Sequence, residues 1–265
     1  MSRRLTGRVL KCSAFITTKT ASGSTPVATA FLVRPTPDET SNVYVVTARH
    51  CVEGSDEIYL RLNRMNREEG CDDLPISGHW RLHAADDIAV RRVTLGDEYD
   101  HAPLDVYDFE ALPSSYPVGV GDSVYMVSLF LQRPGVNRVL PIARFGNISA
   151  LRDERVNVEL SNGRTVDLDA YLIEARSWGG HSGSPVFVYL QEGREEQHPT
   201  YLPGFGRLLG VVSGHYLSLE VARLRGNTTP LDVDINSGIA IVTPSEYVLD
   251  LIRAEERGDQ DTPSR

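Results

Sequence analysis

Val45-Val46-Thr47-Ala48-Arg49-His50-Cys51 carries a β-branched run into a histidine, and two further stretches complete its meaning: Asp86-Asp87-Ile88-Ala89-Val90 and Gly179-Gly180-His181-Ser182-Gly183-Ser184-Pro185. Each sets a reactive or acidic side chain beside a strand-like apolar run. A histidine, an acidic pair and a serine among glycines supply the residue types of nucleophilic catalysis by a hydroxyl. The hydroxyl needs a base, for which an imidazole titrating at about pH 6.5 is suited, and the imidazole needs a carboxylate to fix its tautomer. His50 and Ser182 are the candidates for base and nucleophile. Asp86 and Asp87 compete for the third place, because neighbours on a strand face opposite ways and periodicity does not choose between them.

Outward from these stretches the chain reads as all-β. Short β-rich runs separated by Gly, Pro, Asn and Asp predict strands over Arg8–Thr17, Val27–Arg34, Val43–Thr47, Glu57–Leu62, Trp80–Leu82 and Ile88–Val93. Pro103, Pro113 and Pro117, followed by Gly119 and Gly121, mark a linker over 102–121. Strands then resume over Ser123–Leu131, Ile142–Leu151, Val156–Leu160, Thr165–Leu168, Tyr171–Ala175, Pro185–Leu190, Leu208–Val212 and Gly238–Val242, with Asn162-Gly163 suited to a tight hairpin. After Pro244, Ser245 can cap a helix whose apolar residues Val248, Leu249, Leu251 and Ile252 share one side. The expected units are 1–115, carrying His50 and the acidic pair, 116–244, carrying Ser182, and a helix with a polar tail over 245–265.

Composition narrows the classes. With 265 residues, 41% hydrophobic and 24% charged, the chain suits a folded globular protein and excludes collagen, coiled coil and general disorder. A net charge of −9, without a block of like charges, argues against nucleic acid or an anionic membrane as partner. No apolar run approaches the roughly 20 residues of a membrane span. Arg8 and Lys11 interrupt what would be the apolar core of a secretory signal after Arg3-Arg4. Three irregularly spaced cysteines, Cys12, Cys51 and Cys71, suit neither a disulfide framework nor a zinc site, so the expected setting is reducing and cytoplasmic, with no cofactor or metal.

Taken together, the three stretches resemble the Thr-Ala-x-His-Cys, Asp-Ile-Ala-Val and Gly-x-Ser-Gly-Gly-Pro motifs of the chymotrypsin-like (trypsin-like) serine proteases, in the same order. The resemblance runs from about Arg8 to the terminal helix. It implies two antiparallel six-stranded β-barrels with a C-terminal α-helix and a site in the cleft between barrels. It selects Asp87, directly before Ile88-Ala89-Val90, as the partner of His50, and it assigns the oxyanion-binding N–H groups to Gly180 and Ser182. The implied activity is that of a serine endopeptidase acting on protein or peptide through an acyl-enzyme on Ser182. A regulatory protein partner is a further expectation, since an uncontrolled protease inside a cell is hazardous. A trypsin-fold binding module without turnover, or an esterase, are the competing readings.

Several positions depart from the family pattern. His181 stands where many secreted animal relatives carry the Asp that pairs with a freshly cut N-terminus, so no activation by N-terminal cleavage is expected. Ser184 replaces the second glycine after the nucleophile. Cys51 lacks the usual disulfide partner, because Ala28–Arg34 contains no cysteine, and it is expected to be a buried free thiol. By the same resemblance Arg176 and Ser177 fall at the base of the specificity pocket, Ser213-Gly214-His215 along one wall and Gly238 and Ala240 along the other. None is acidic, which disfavours basic substrates. Arg176 and His215 are candidates to accept an acidic side chain.

Overall fold

The computed structural model describes residues 5–258 apart from positions 6, 22, 37, 40, 56, 77, 136, 176 and 178 and the stretches 107–117, 160–162, 189–205 and 224–229. A short helix α1 (Gly7–Lys11) precedes β1 (Ser13–Thr20), β2 (Gly23–Arg34), β3 (Asn42–Thr47), β4 (Tyr59–Asn63), β5 (Cys71–Pro75), β6 (Arg81–Leu82), β7 (Ala89–Thr94) and β8 (Leu104–Asp105). These form one sheet in the order β5-β4-β1-β2-β3-β7-β6, with β8 parallel to β2. β9 (Ser123–Ser128), β10 (Ile142–Ala150), β13 (Tyr171–Glu174), β14 (Pro185–Val188), β15 (Arg207–Arg223) and β16 (Pro230–Pro244) close a six-stranded barrel. β11 (Val156–Glu159) and β12 (Thr165–Leu168) make a separate hairpin, and α2 (Glu246–Arg257) ends the described chain. No helix among the described residues is long and apolar enough to cross a membrane.

The second unit therefore closes as expected, whereas the first differs from a six-stranded barrel. Among the described residues its end strands β5 and β6 are not paired with each other. In the connection between them, Ile76 and Trp80 join the core with Ala14, Ile16, Leu32 and Val45. The expected strand at Arg8–Thr17 begins only at Ser13, because Gly7–Lys11 is helical and inserts Val9 beneath the sheet. β5, Cys71-Asp72-Asp73-Leu74-Pro75, carries no apolar alternation. It is held across the ladder by Arg61, whose Nε and Nη2 donate to Asp73 at 2.8 Å each.

Alternation along β2 organises the molecule. Ala28, Ala30 and Leu32 face the first core, whereas Phe31 and Val33 face a second one. That second core joins them to Tyr44 and Val46 of β3, to Tyr125 and Phe187 of the barrel, and to Val248, Leu249, Leu251 and Ile252 of α2. Arg81 Nε adds a 2.7 Å ion pair to Glu255, and the Tyr44 hydroxyl donates to Glu256. Ser245 takes the N-cap position of α2 as expected, but its side chain does not cap: it is buried, and its hydroxyl donates to Leu208 O at 3.0 Å. The strands β15 and β16 run far past the predicted Leu208–Val212 and Gly238–Val242, pairing as far as Arg223↔Pro230.

Because α2 seals the seam between the two units, Ile252→Ala is expected to cost about 2–5 kcal/mol of unfolding free energy. Urea denaturation followed by circular dichroism measures it, and a loss well below that range would show that the helix is an appendage.

Candidate active site

The seam brings three connections to one place. His50 lies in a single 3₁₀ turn, Arg49–Cys51, that stops β3. Asp87 lies in the tight connection between β6 and β7, where His83 N–H donates to Ile88 O at 2.9 Å. Its carboxylate is aimed back at the turn: Oδ1 accepts the His50 N–H at 2.9 Å and Oδ2 lies 2.7 Å from His50 Nδ1. Two bonds from one carboxylate fix both the turn and the ring, and both side chains are almost wholly buried. The bond at Nδ1 leaves Nε2 as the ring atom able to exchange a proton with another group.

That nitrogen faces Cys51 Sγ at 3.4 Å. Among the described residues no hydrogen bond joins the Ser182 hydroxyl to His50. Burial pushes the His50 imidazole down, but the Asp87 carboxylate and the Cys51 sulfur push it up further, to about 10. Cys51 is a free thiol, and it is partly rather than fully buried. The cleft beside the ring is lined by Arg49, Glu53, Asp87, Arg164, Val166 and Leu168. The β11–β12 hairpin thus reaches across to the first unit, and Arg164 pairs with Glu53 at 3.1 Å.

Asp86 and Asp87 are both buried but do different work. Asp86 Oδ1 accepts the Asp169 N–H at 2.9 Å and Arg155 Nη2 at 3.0 Å, tying the hairpin of the second unit to the first. Neither task is readable from the dipeptide, since the partners lie more than 60 residues away in the chain for Asp86.

Ser182 sits on a turn pinned from both sides. Its carbonyl accepts the Thr29 N–H at 3.0 Å, the Gly183 N–H donates to Val212 O at 2.8 Å, and the Ser184 N–H donates to His181 O at 3.0 Å. Gly183 has φ +82°, and a Cβ there would lie 2.0 Å from Thr29 O, so only glycine fits. Ser184 is accommodated, fully buried, and its carbonyl accepts the Val212 N–H at 2.9 Å. His181 is fully buried. Burial first, then Arg144 and His215, push its imidazole down to about 3, so it is neutral near pH 7 and does not replace the acidic partner of an N-terminal amine.

Of the expected pocket residues, Arg176 lies outside the described residues. Gly214 and His215 on β15 pair with Ile241 and Ala240 on β16, and a Cβ at Gly214 or Gly238 would enter open space, as suits a cleft wall. Ser213 is buried and its hydroxyl shares a 2.7 Å hydrogen bond with Thr243. Ser177 is buried on the facing segment. Asn236, not singled out from the sequence, ties the walls together: Nδ2 donates to Ser177 O and Oδ1 accepts the Gly238 N–H at 2.8 Å. Burial holds the His215 imidazole below its ordinary value, so near pH 7 it is a neutral hydrogen-bonding group rather than a cation. No group of three or more His, Cys, Asp and Glu among the described residues is placed to hold a metal ion.

Removing the Asp86 carboxylate strands the Asp169 N–H and takes one partner from Arg155, so Asp86→Ala is expected to lower stability by about 1–3 kcal/mol, measured by thermal or urea unfolding. The same loss in Asp87→Ala with none in Asp86→Ala would reverse the division of labour.

Residues 28–194 match the family described as trypsin-like peptidase domain. No curated protein matches the chain by sequence. Among solved structures, the active form of the Rv3671c protease from M. tuberculosis is similar, with a TM-score of 0.51 and 17% identity over 92% of this chain and 81% of that one. An inactivated protease paralogue of the scabies mite gives a TM-score of 0.53 and 13% identity over 95% of this chain and 96% of that one. At such identities the likeness is one of fold, and it includes a working protease and an inactivated one. The match over residues 28–194 decides the lineage: the chain belongs to the trypsin-like peptidase family.

Proposed function

We propose that the protein is a serine endopeptidase in which Ser182 is the nucleophile, His50 the general base and acid, and Asp87 the group that orients His50. The observation that carries this reading is the double contact of one buried carboxylate with the His50 N–H and Nδ1, at 2.9 and 2.7 Å. Such a contact dictates which ring nitrogen is left to take a proton. In the reaction Ser182 Oγ attacks the scissile carbonyl as its proton passes to His50 Nε2. The developing oxyanion is met by the N–H groups of Gly180 and Ser182. The imidazolium then protonates the leaving amine, and water, activated by the same nitrogen, releases the acyl group.

The Cys51 sulfur at Nε2 bears on this cycle because it competes for the same lone pair. It favours a second reading, a trypsin-fold module at rest or without turnover, in which the ring is occupied by its neighbour. In the active reading a bound substrate exchanges that contact for one with Ser182. A protein or peptide is the substrate, and no nucleic acid, membrane or cofactor enters the scheme. For the specificity pocket the proposal is an acidic side chain held by Arg176, with neutral His215 as a hydrogen-bonding partner.

Labelling by a fluorophosphonate probe separates the readings: the wild type is expected to label and Ser182→Ala not to label. Cleavage of casein or a peptide library then distinguishes endopeptidase from esterase, and Ser182→Ala is expected to lower kcat by about 10⁶. A wild type that neither labels nor cleaves supports the idle module.

The pH dependence follows from the raised His50 value. A base must be neutral to act, so kcat/KM is expected to rise with pH as His50 loses its proton, with a midpoint above that of an ordinary imidazole. Cys51→Ala removes one of the contacts that raise it, so its limb is expected at lower pH. Superimposable profiles for the two proteins would show that the sulfur does not act on the ring.

A further inference from the structure

The loop that is to bind the oxyanion poses a problem of its own. Gly179 and Gly180 are consecutive glycines, and Gly180 has φ +92°, so the backbone on which the donor N–H depends has little intrinsic preference for one orientation. No side chain of its own can hold it, since a Cβ at Gly180 would crowd Leu131 and Leu129 at 3.0 to 3.3 Å. Something outside the loop must fix it.

One residue touches it with the required chemistry. Thr29, on β2, is fully buried. Its hydroxyl donates to Gly180 O at 2.8 Å and accepts the Leu129 N–H at 2.8 Å, so both the proton and an acceptor lone pair are in use. Its backbone N–H donates to Ser182 O at 3.0 Å, and its carbonyl accepts the Thr47 hydroxyl at 2.8 Å. Thr47 ends β3, two residues before the turn that carries His50. Four hydrogen bonds on one residue therefore connect the histidine turn, the serine turn and the segment after β9.

We infer that Thr29 is a positioning residue for the proposed reaction, its side-chain hydroxyl locking the Gly180 carbonyl away from the cleft so that the Gly180 and Ser182 N–H groups converge on the oxyanion. The inference rests on the serine-peptidase reading above. Without the hydroxyl, the Gly180 O and the Leu129 N–H each lose this buried hydrogen bond, which proteins avoid strongly. The glycine pair offers the cheapest escape: the peptide between residues 180 and 181 swings, bringing a carbonyl toward the place where donors are needed. The backbone bonds of Thr29 survive the change, so the effect falls on the glycine loop and on Leu129 and not on β2.

The test compares Thr29→Val, which keeps the shape and loses the hydroxyl, with Thr29→Ser, which keeps the hydroxyl. Wild type is assayed first, because failure to label with a fluorophosphonate and to cleave peptide overturns the peptidase reading itself. With active wild type, Thr29→Val is expected to lower kcat and the labelling rate by about 10²-fold, the scale of a lost oxyanion donor, with KM changed less than about threefold. Thr29→Ser is expected to restore most of that loss. Affinity for a peptide aldehyde, which forms an oxyanion when bound, should fall in Thr29→Val in step with kcat. Amide hydrogen exchange reads the clamp without any turnover: residues 180 to 183 should exchange faster in Thr29→Val than in Thr29→Ser. Should Thr29→Val not fold, Thr29→Cys, with a weaker donor of similar size, is expected to show a smaller loss of the same kind. Equal kcat and equal exchange in wild type and the hydroxyl-free or thiol variant would overturn the inference, as would a loss of activity that follows thermal stability and is not restored by serine.

Discussion

Everything in this fold depends on a strand that must satisfy two cores at once. β2 turns Ala28, Ala30 and Leu32 into the first unit and Phe31 and Val33 into the seam with the barrel and α2. A slip of one residue would exchange the two sets, so the register of this strand is fixed from both sides. Thr29 lies on the seam side of the same alternation, which is why a hydroxyl on a strand can reach the serine turn. The precision of the proposed site is thus inherited from apolar packing rather than from the loops that carry its reactive groups.

The polar groups at the seam divide into those that hold and those that would react. Asp86 and Asp87 are adjacent and equally buried, yet one serves a backbone N–H and an arginine of the β11–β12 hairpin while the other serves the His50 turn and ring. Burial of two neighbouring carboxylates is tolerable because each is met by two hydrogen-bond donors. His50 is the point of tension. Its Nδ1 is committed to Asp87, and its Nε2 is shared between what the proposed chemistry requires and what the adjacent thiol offers. His181, neutral and fully buried where animal relatives place an acid, removes the ionic anchor used there and leaves the turn to be held by hydrogen bonds from β2 and β15.

Strands with plain alternation or apolar runs were legible in the sequence, among them β3, β7, β9 and β12. β5 was not, because its two aspartates look like a turn until Arg61 and Arg64 are set beside them. The length of the β15–β16 hairpin had a signal that could have found it: Leu231-Asp232-Val233-Asp234-Ile235 alternates strictly, as do Leu217, Leu219 and Val221 with their polar neighbours. The missing ladder between β5 and β6 had none, since strand pairing between distant segments is not written in either strand's own pattern.

By itself the sequence determined the family, the all-β character, the terminal helix and the residue types able to support acyl transfer, because these are carried by local periodicity and by short motifs whose members lie close together in the chain. Only the tertiary structure decided what Asp86 holds, that Cys51 faces the other ring nitrogen of His50, that Asn236 joins the pocket walls and that Thr29 fastens the glycine loop. Those are contacts between segments far apart in the chain, and a hydrogen bond is specified by distance and direction, which no order of residues states until the two cores have packed.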